Sequence, residues 1–278
     1  MAPRKFNALP GFGLTMGYTL FYLSVIVLIP IAGLLWHSFD MSRADFWRLA
    51  TNDRALAAYK LTFGASGLAA LANAIFGTIL AWVLVRYRFP GRRMVDALVD
   101  FPFALPTAVA GLTLASLFAE NGWLGRYLVP IGIKGAYTSL GVVIALTFVG
   151  MPFVVRSLQP VLENLETEVE EAAATLGAGR WRTFLSVIAP ALLPTIITGF
   201  AQAFARAVGE YGSVIFIAGN KPYDSEIAPL LIVIRLEEYD YHGAIALAVV
   251  LMVISFALLI TIHFLERWRA VFSAEPRL

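Results

Sequence analysis

Long uncharged runs of apolar residues limit what this chain can fold into more than any other feature of its sequence. Six stretches of about 20 residues each carry at most one charged side chain. A helix rises about 1.5 Å per residue, so about 20 apolar residues cross a hydrocarbon core about 30 Å thick. We therefore predict an all-α membrane protein in which residues 1–278 form a single transmembrane domain. The six predicted spans are 14–36, 61–85, 97–119, 136–155, 183–205 and 243–265.

Composition excludes several other classes of protein. Hydrophobic residues make up 59% of the 278 residues and charged residues only 14%, too few to cover a soluble protein. Cysteine is absent and the three histidines are far apart, so neither thiolate chemistry nor a metal site is expected. The chain has no interleaved stripe of basic and aromatic residues, so a lipid bilayer and not a nucleic acid is the expected partner.

The distribution of arginine predicts the orientation of the spans. Four arginines follow the second predicted span in the segment "RYRFPGRRM". Basic residues gather at the cytoplasmic ends of spans, and six spans return the chain to its starting side. Both termini are therefore predicted to be cytoplasmic, together with the segment 156–182. The apolar run near the N-terminus is longer than a signal-peptide core, so it is interpreted as the first span.

The segment 156–182 combines an acidic patch with a helical pattern. Five glutamates fall within nine residues: Glu163, Glu166, Glu168, Glu170 and Glu171. Thr167 and Glu170 have the spacing of a capping box, and Gly177 stands where a helix end favours positive φ. An acidic face is poorly suited to anionic lipid, so we interpret this helix as a docking element for a cytoplasmic protein. The alternative is an ordinary capped helix at the membrane surface.

The stretch 170–190, which begins in this segment, resembles the EAA loop of permease subunits in binding-protein-dependent ABC importers. The residues that match are Glu171, Ala172, Ala173, Gly177 and Pro190. Val187 and Ala189 stand where the family usually has isoleucine and leucine. Further segments are similar to the CysT-type sulfate/thiosulfate permeases, among them "FPFALPTAVAGLTL" and "RAVGEYGSVIFIAGN".

This resemblance implies a fold, a function and a set of partners. The fold is that of an ABC type I importer permease, whose loop forms a cytoplasmic coupling helix seated in an ATPase subunit. The function is sulfate or thiosulfate import across the bacterial inner membrane; molybdate or tungstate import is the alternative. The implied partners are two ATP-binding subunits, a second permease subunit (a CysW-like paralogue or this chain again) and an extracytoplasmic sulfate-binding protein. ATP and Mg²⁺ belong to the ATPase, since this chain has no phosphate-binding loop motif.

Arg206 and Glu210 are the first candidates for the anion path. They lie four residues apart at the end of the fifth predicted span, and ionisable groups near a membrane core are functional candidates. On this interpretation Arg206 attracts a dianion and Glu210 offsets its charge. The alternative is a mutually satisfied pair that only fixes the end of the helix.

The third predicted span supplies the other candidates. Pro102 and Pro106 interrupt it, and Thr107 follows. A broken helix exposes backbone N–H groups that can bind an anion without a fixed positive charge, which favours a gate at these residues. The alternative is a packing kink. Asp100 is interpreted as an interfacial residue, because a carboxylate facing sulfate would repel it.

Two other function classes remain open at this point. A self-contained anion channel or secondary transporter would need buried carboxylates within the spans, and Asp100 is the one candidate. An intramembrane enzyme would need paired aspartates, a Ser/His pair or metal ligands within the spans, and none is found there. We therefore predict a transport subunit with no catalytic residues and no cofactor of its own.

Overall fold

The structure is a computed structural model that describes residues 12–165 and 167–273. Within these residues the chain is helical, without strands. The helices in chain order are α1 (Phe12–Ser38), α2 (Arg43–Ala50), α3 (Asp53–Arg86), α4 (Arg92–Val99), α5 (Phe101–Ala104), α6 (Thr107–Phe118), α7 (Gly125–Leu128), α8 (Ser139–Glu163), α9 (Thr167–Thr175), α10 (Arg180–Val208), α11 (Val214–Ile217), α12 (Ala228–Glu237) and α13 (Tyr241–Ser273).

Five helices of the described chain, α1, α3, α8, α10 and α13, are long and apolar enough to cross a membrane. Two of these helices extend beyond the predicted spans. Helix α3 begins eight residues before the predicted residue 61, at Asp53, because the Asn52 side chain accepts a hydrogen bond from the Ala55 N–H at 2.9 Å. Helix α8 continues to Glu163, so the predicted loop 156–182 begins with helix.

The third predicted span, 97–119, is interrupted, as its two prolines predict. It consists of the end of α4, the single turn α5 and the 12 residues of α6. Leu105 ends α5 with an extended backbone (ψ 135°) because Pro106 excludes the helical region for the residue before it. Helix α6 alone is shorter than a membrane-spanning helix.

Helices α3, α8 and α10 pack together as the centre of the bundle. Val154 of α8 lies between two glycines: a Cβ on Gly77 would be 3.0 Å from Val154 Cγ1, and one on Gly199 would be 3.0 Å from Val154 Cα. Small residues let helices approach closely in lipid, where no hydrophobic effect draws them together. This agrees with the run of small residues in α3.

Two of the long helices contain a π-helical turn, each placed just ahead of a proline. Ser24–Leu28 precedes Pro30 in α1, and Phe184–Ile188 precedes Pro190 in α10. Proline has no N–H to donate back along the helix, so the preceding turn widens. Pro190, a residue of the EAA-like segment, therefore shapes the start of α10.

The remaining helices surround this centre unevenly. Helices α2, α10 and α12 all pack against α13. The two short apolar runs after α10 do not span: α11 and α12 bury Val214, Ile217 and Leu231 within the bundle. Helix α1 differs, because no residue of its most apolar 18-residue stretch is buried. Its last turns, Ile29–Ser38, pack against α13.

Candidate functional site

The predicted docking helix is present as α9, and its C-terminal end is closed by a specific motif. Gly177 has φ 81°, in the left-handed region. Its N–H donates to the Ala174 carbonyl at 3.0 Å, and the Ala178 N–H donates to the Ala173 carbonyl at 3.0 Å. This pair of bonds is a Schellman motif, for which glycine is the favoured residue. The positive φ predicted for Gly177 is confirmed.

The capping box predicted at the start of α9 falls on side chains that lie outside the described residues. Thr167 and Glu170 are described by backbone alone, and Glu166 is not described. The start of α9 at Thr167 agrees with the predicted start of the helix. The capping interaction itself stays a prediction.

The far end of α9 presents apolar side chains to the outside. Leu176, just after α9, is 88% exposed, and Glu171 and Ala172 of α9 are exposed beside it. Leu165, which precedes α9, packs against the central core instead. Exposed apolar residues beside a charged face are typical of a surface that another protein covers.

The two segments that carry the candidate residues for the anion path, the start of α6 and the turn after α10, are in contact. The contact is made at two glycines. A Cβ on Gly212 would lie 2.2 Å from Thr107 Oγ1, and a Cβ on Gly111 would lie 2.2 Å from the Ser213 carbonyl oxygen. The turn after α10 is therefore pressed against the first turns of α6. Pro106 is the residue before α6, and no side chain there accepts a hydrogen bond from the helix. The first N–H groups of α6 therefore have no side-chain cap.

Arg206 and Glu210 form the ion pair that their spacing predicts. Arg206 Nη1 and Glu210 Oε2 are 2.5 Å apart. Glu210 is only 2% exposed, and its Oε1 also accepts from the Ser213 N–H at 3.0 Å and the Ser213 hydroxyl at 2.9 Å. The carboxylate thus holds the turn that touches α6, while the Arg206 side chain keeps 36% of its surface exposed.

The two prolines of the broken helix have different surroundings. Pro102 is buried and Pro106 is exposed. Beside Pro102, the Phe103 ring meets the Phe153 ring of α8 edge to face, with centroids 5.3 Å apart. Helix α5 is therefore fixed against α8, whereas Pro106 and Thr107 lie at the break.

Sequence reasoning missed the polar cluster that attaches this broken helix to α8. Arg156 donates from Nε to Asp100 Oδ1 at 2.8 Å and from Nη2 to Asp100 Oδ2 at 2.6 Å. It also donates to the Asp96 carboxylate at 2.7 Å and the Asp96 carbonyl at 2.8 Å. Asp100 is thus a paired residue and not simply an interfacial one. Two aspartates four residues apart were the signal available in the sequence.

Gln159 completes this cluster. Its amide nitrogen donates to Asp96 Oδ1 at 2.9 Å, and its amide oxygen accepts from Arg156 at 2.5 Å. The hydrogen bond from Gln159, and then that from Arg156, lower the pKa of the Asp96 carboxyl below its ordinary value. Asp96 therefore remains charged, which keeps α4 tied to the end of α8 that leads into α9.

Sequence reasoning also missed an ion pair at the start of α3. Arg54 donates to both carboxylate oxygens of Glu226, at 2.8 Å and 2.7 Å. The Glu226 side chain is 1% exposed, and the neighbouring Ala228 N–H donates to Thr62 Oγ1 at 2.8 Å. These bonds fix the start of α12 against α3. Among the described residues there is no cluster of three His, Asp or Glu side chains that could hold a metal ion.

Five long apolar helices, a broken helix and an exposed helix between two spans define a multi-pass membrane protein with the architecture of a permease subunit. Residues 73–271 match the family described as the binding-protein-dependent transport system inner membrane component. This match covers more than half of the chain, and the chain belongs to that family.

Curated relatives agree with this family. The chain is 49% identical over 260 residues to the sulfate transport system permease protein CysT of Escherichia coli (strain K12), covering 94% of both chains. It is 51% identical to a probable sulfate transport system permease protein cysT of Nephroselmis olivacea, covering 89% of this chain and 87% of the relative. The relative from Synechocystis sp. is 50% identical, covering 90% of this chain and 87% of its own length.

Solved structures support the fold. A bacterial ABC transporter that imports the acidic polysaccharide alginate matches with a TM-score of 0.74 at 16% identity, covering 91% of this chain and 94% of that chain. The MetNI methionine ABC transporter, in an inward-facing conformation, matches with a TM-score of 0.57 at 17% identity, covering 82% of this chain and 98% of that chain. The all-α importer-permease fold predicted from the sequence is therefore confirmed.

Proposed function

We propose that this chain is the permease subunit of an ATP-driven importer that carries sulfate across the bacterial inner membrane. The observation that carries the proposal is identity of about one half, over most of the chain, to relatives named as sulfate permeases. Thiosulfate, a dianion of similar shape, is proposed as a second substrate. Both termini are proposed to be cytoplasmic, which places α9 on the side where ATP is found.

The ATPase that supplies the energy is a separate subunit, docked on α9. Glu171, Ala172 and Ala173 are proposed to seat in its groove, with Leu176 at the edge of the contact. The exposure of these apolar side chains beside an acidic face supports that assignment. Gly177 and Pro190 then transmit the movement, because one closes α9 and the other shapes the start of α10.

The anion path is proposed to run past the contact between α6 and the turn after α10. Arg206 would attract the dianion, and Glu210 would limit the net charge so that sulfate is released again. Pro102 and Pro106 would hold the break in the helix, and Thr107 would offer the first N–H groups of α6 to the anion. The close contact between Thr107 and Gly212 supports placing these residues on one path.

The complete importer is proposed to contain this chain, a second permease subunit, two ATP-binding subunits and an extracytoplasmic sulfate-binding protein. The second permease is either a CysW-like paralogue or another copy of this chain. Closure of the ATPases around ATP and Mg²⁺ would turn the path outward to receive sulfate from the binding protein. Hydrolysis would return it inward. This chain therefore needs no catalytic residue.

The test is sulfate uptake by the reconstituted complex. Proteoliposomes containing all subunits should accumulate radiolabelled sulfate only when ATP is present on the side of the membrane where α9 lies. Unlabelled thiosulfate should compete, whereas molybdate should compete weakly. Strong competition by molybdate with little uptake of sulfate would favour the related oxyanion importer instead. Uptake without ATP would favour a channel or secondary transporter and would overturn the proposal.

A further inference from the structure

An apolar groove lies between the last turns of α3 and the first turns of α10. Its volume is about 430 Å³, within the range of pockets that bind small molecules. The lining residues are Thr78, Ile79, Trp82, Arg180, Trp181 and Phe184. None of these residues belongs to the proposed anion path.

Three aromatic rings form a continuous wall of this groove. The Trp181 and Phe184 rings are stacked with centroids 5.9 Å apart, and the Phe184 and Trp82 rings meet edge to face at 5.9 Å. Trp181 is 72% exposed, so most of its surface is accessible from outside the chain. Tryptophan at this position is typical of the boundary between acyl chains and headgroups.

The rim of the groove is basic. Arg180 lines it, Arg182 follows two residues later, and the Arg86 guanidinium carbon lies 5.5 Å from the Trp82 ring centroid. Neither Arg180 nor Arg182 is ion-paired within the part of the chain that the structure describes. An apolar floor and a basic rim match one kind of ligand, a phospholipid with an anionic headgroup.

We propose that this groove binds an anionic phospholipid of the cytoplasmic leaflet, with an acyl chain against Trp82 and Trp181 and the phosphate beside Arg180. The leaflet follows from the orientation given under the proposed function, and the inference rests on that orientation. The inner leaflet carries the anionic lipids that attract arginine next to a span. The site adjoins the exit from α9, so the lipid would contact the segment that joins the docking helix to α10.

The test is quenching of tryptophan fluorescence by lipids with brominated acyl chains, on the purified complex in nanodiscs. Dibrominated phosphatidylglycerol should quench at a lower mole fraction than dibrominated phosphatidylcholine. The double variant Trp82→Phe/Trp181→Phe gives the background from the other four tryptophans of this chain and from partner subunits. No sulfate or ATP is added, so the result is independent of whether the complex transports sulfate.

Two arginine variants make the test specific. Arg180→Gln should weaken the response to phosphatidylglycerol about fivefold and leave that to phosphatidylcholine unchanged. Arg126→Gln is the matched control and should change the response to neither lipid. Arg126 also lies over an aromatic ring, 4.7 Å from the Tyr127 centroid, but it is far along the chain from the groove. Equal quenching by the two lipids, or no effect of Arg180→Gln, would overturn the proposal. Shielding of both indoles from both lipids would show that a protein subunit covers the groove, and would also overturn it.

Discussion

Arg156 and Asp100 face each other with two parallel hydrogen bonds, 2.8 Å and 2.6 Å long, across the junction of α8 and the broken helix. One residue belongs to the helix that continues toward α9, and the other immediately precedes α5, which leads to the break at Pro106. The bidentate geometry fixes orientation as well as distance. We therefore expect a movement of α9 to be passed to the proposed gate through this pair.

Arg156→Gln is expected to lower sulfate transport severalfold and the free energy of unfolding by about 1 kcal/mol, a modest loss because both side chains are partly exposed. Thermal unfolding of the complex and the uptake assay measure the two effects. Arg48→Gln is the control, since Arg48 pairs with Asp45 at 2.7 Å but is 76% exposed and far from the break. If Arg156→Gln and Arg48→Gln had equal effects on transport and stability, the proposed link between α8 and the broken helix would be contradicted. The swap Arg156→Asp/Asp100→Arg should restore part of the transport.

Gly177→Ala should reduce the amount of ATPase subunit that co-purifies with the permease. An alanine at φ 81° costs about 1 kcal/mol and loosens the end of α9, although no atom lies within 4 Å of the added Cβ. Gly179→Ala is the matched control, because Gly179 has equally open space and an ordinary φ of −70°. The explanation fails if both variants retain the ATPase equally, or lose it equally.

Gly111→Ala is expected to destabilise the subunit by about 1–3 kcal/mol, because its Cβ would meet the Ser213 backbone and not a flexible side chain. The turn after α10 would be pushed from α6, so transport should fall as well. Gly67→Ala in α3 adds the same methyl group in open space and should be neutral or slightly stabilising. Thermal unfolding compares the two, and normal stability of Gly111→Ala would show that the contact is not tight.

Arg206→Gln should lower sulfate transport on the order of tenfold while the subunits still assemble, since an attracting charge is lost from the path. Uptake rates and co-purification of the subunits measure the two properties separately. Arg235→Gln is the control: Arg235 is 25% exposed and paired with Glu238 at 3.3 Å, away from the contact with α6. Unchanged transport in Arg206→Gln would limit Arg206 to fixing the end of α10.

The features that the sequence predicted well are those that depend on local pattern. Apolar runs predicted the spans, proline predicted the break in 97–119, and the glycine after the acidic patch predicted a left-handed residue at Gly177. The i,i+4 spacing predicted the pair of Arg206 and Glu210. In each case the physical cause acts within a few residues of the chain, so one sequence is sufficient to detect it.

The features that were missed depend on long-range packing. Arg156 and Asp100 are 56 residues apart, and Arg54 and Glu226 are 172 apart, so no local pattern joins them. The helix ends were not predicted either, because hydropathy marks where the lipid ends and not where the hydrogen bonds of a helix end. Helix α8 accordingly runs eight residues past the predicted boundary at 155.

The π-helical turn Phe184–Ile188 sets the angular register between the two ends of α10. A π turn holds one residue more than an α turn, and one residue corresponds to a rotation of about 100°. Every side chain beyond Ile188, including Arg206, therefore faces a direction different from the one that an unbroken α-helix starting at Arg180 would give it. Removing one residue from this turn would swing the arginine out of alignment without altering the loop that precedes the helix.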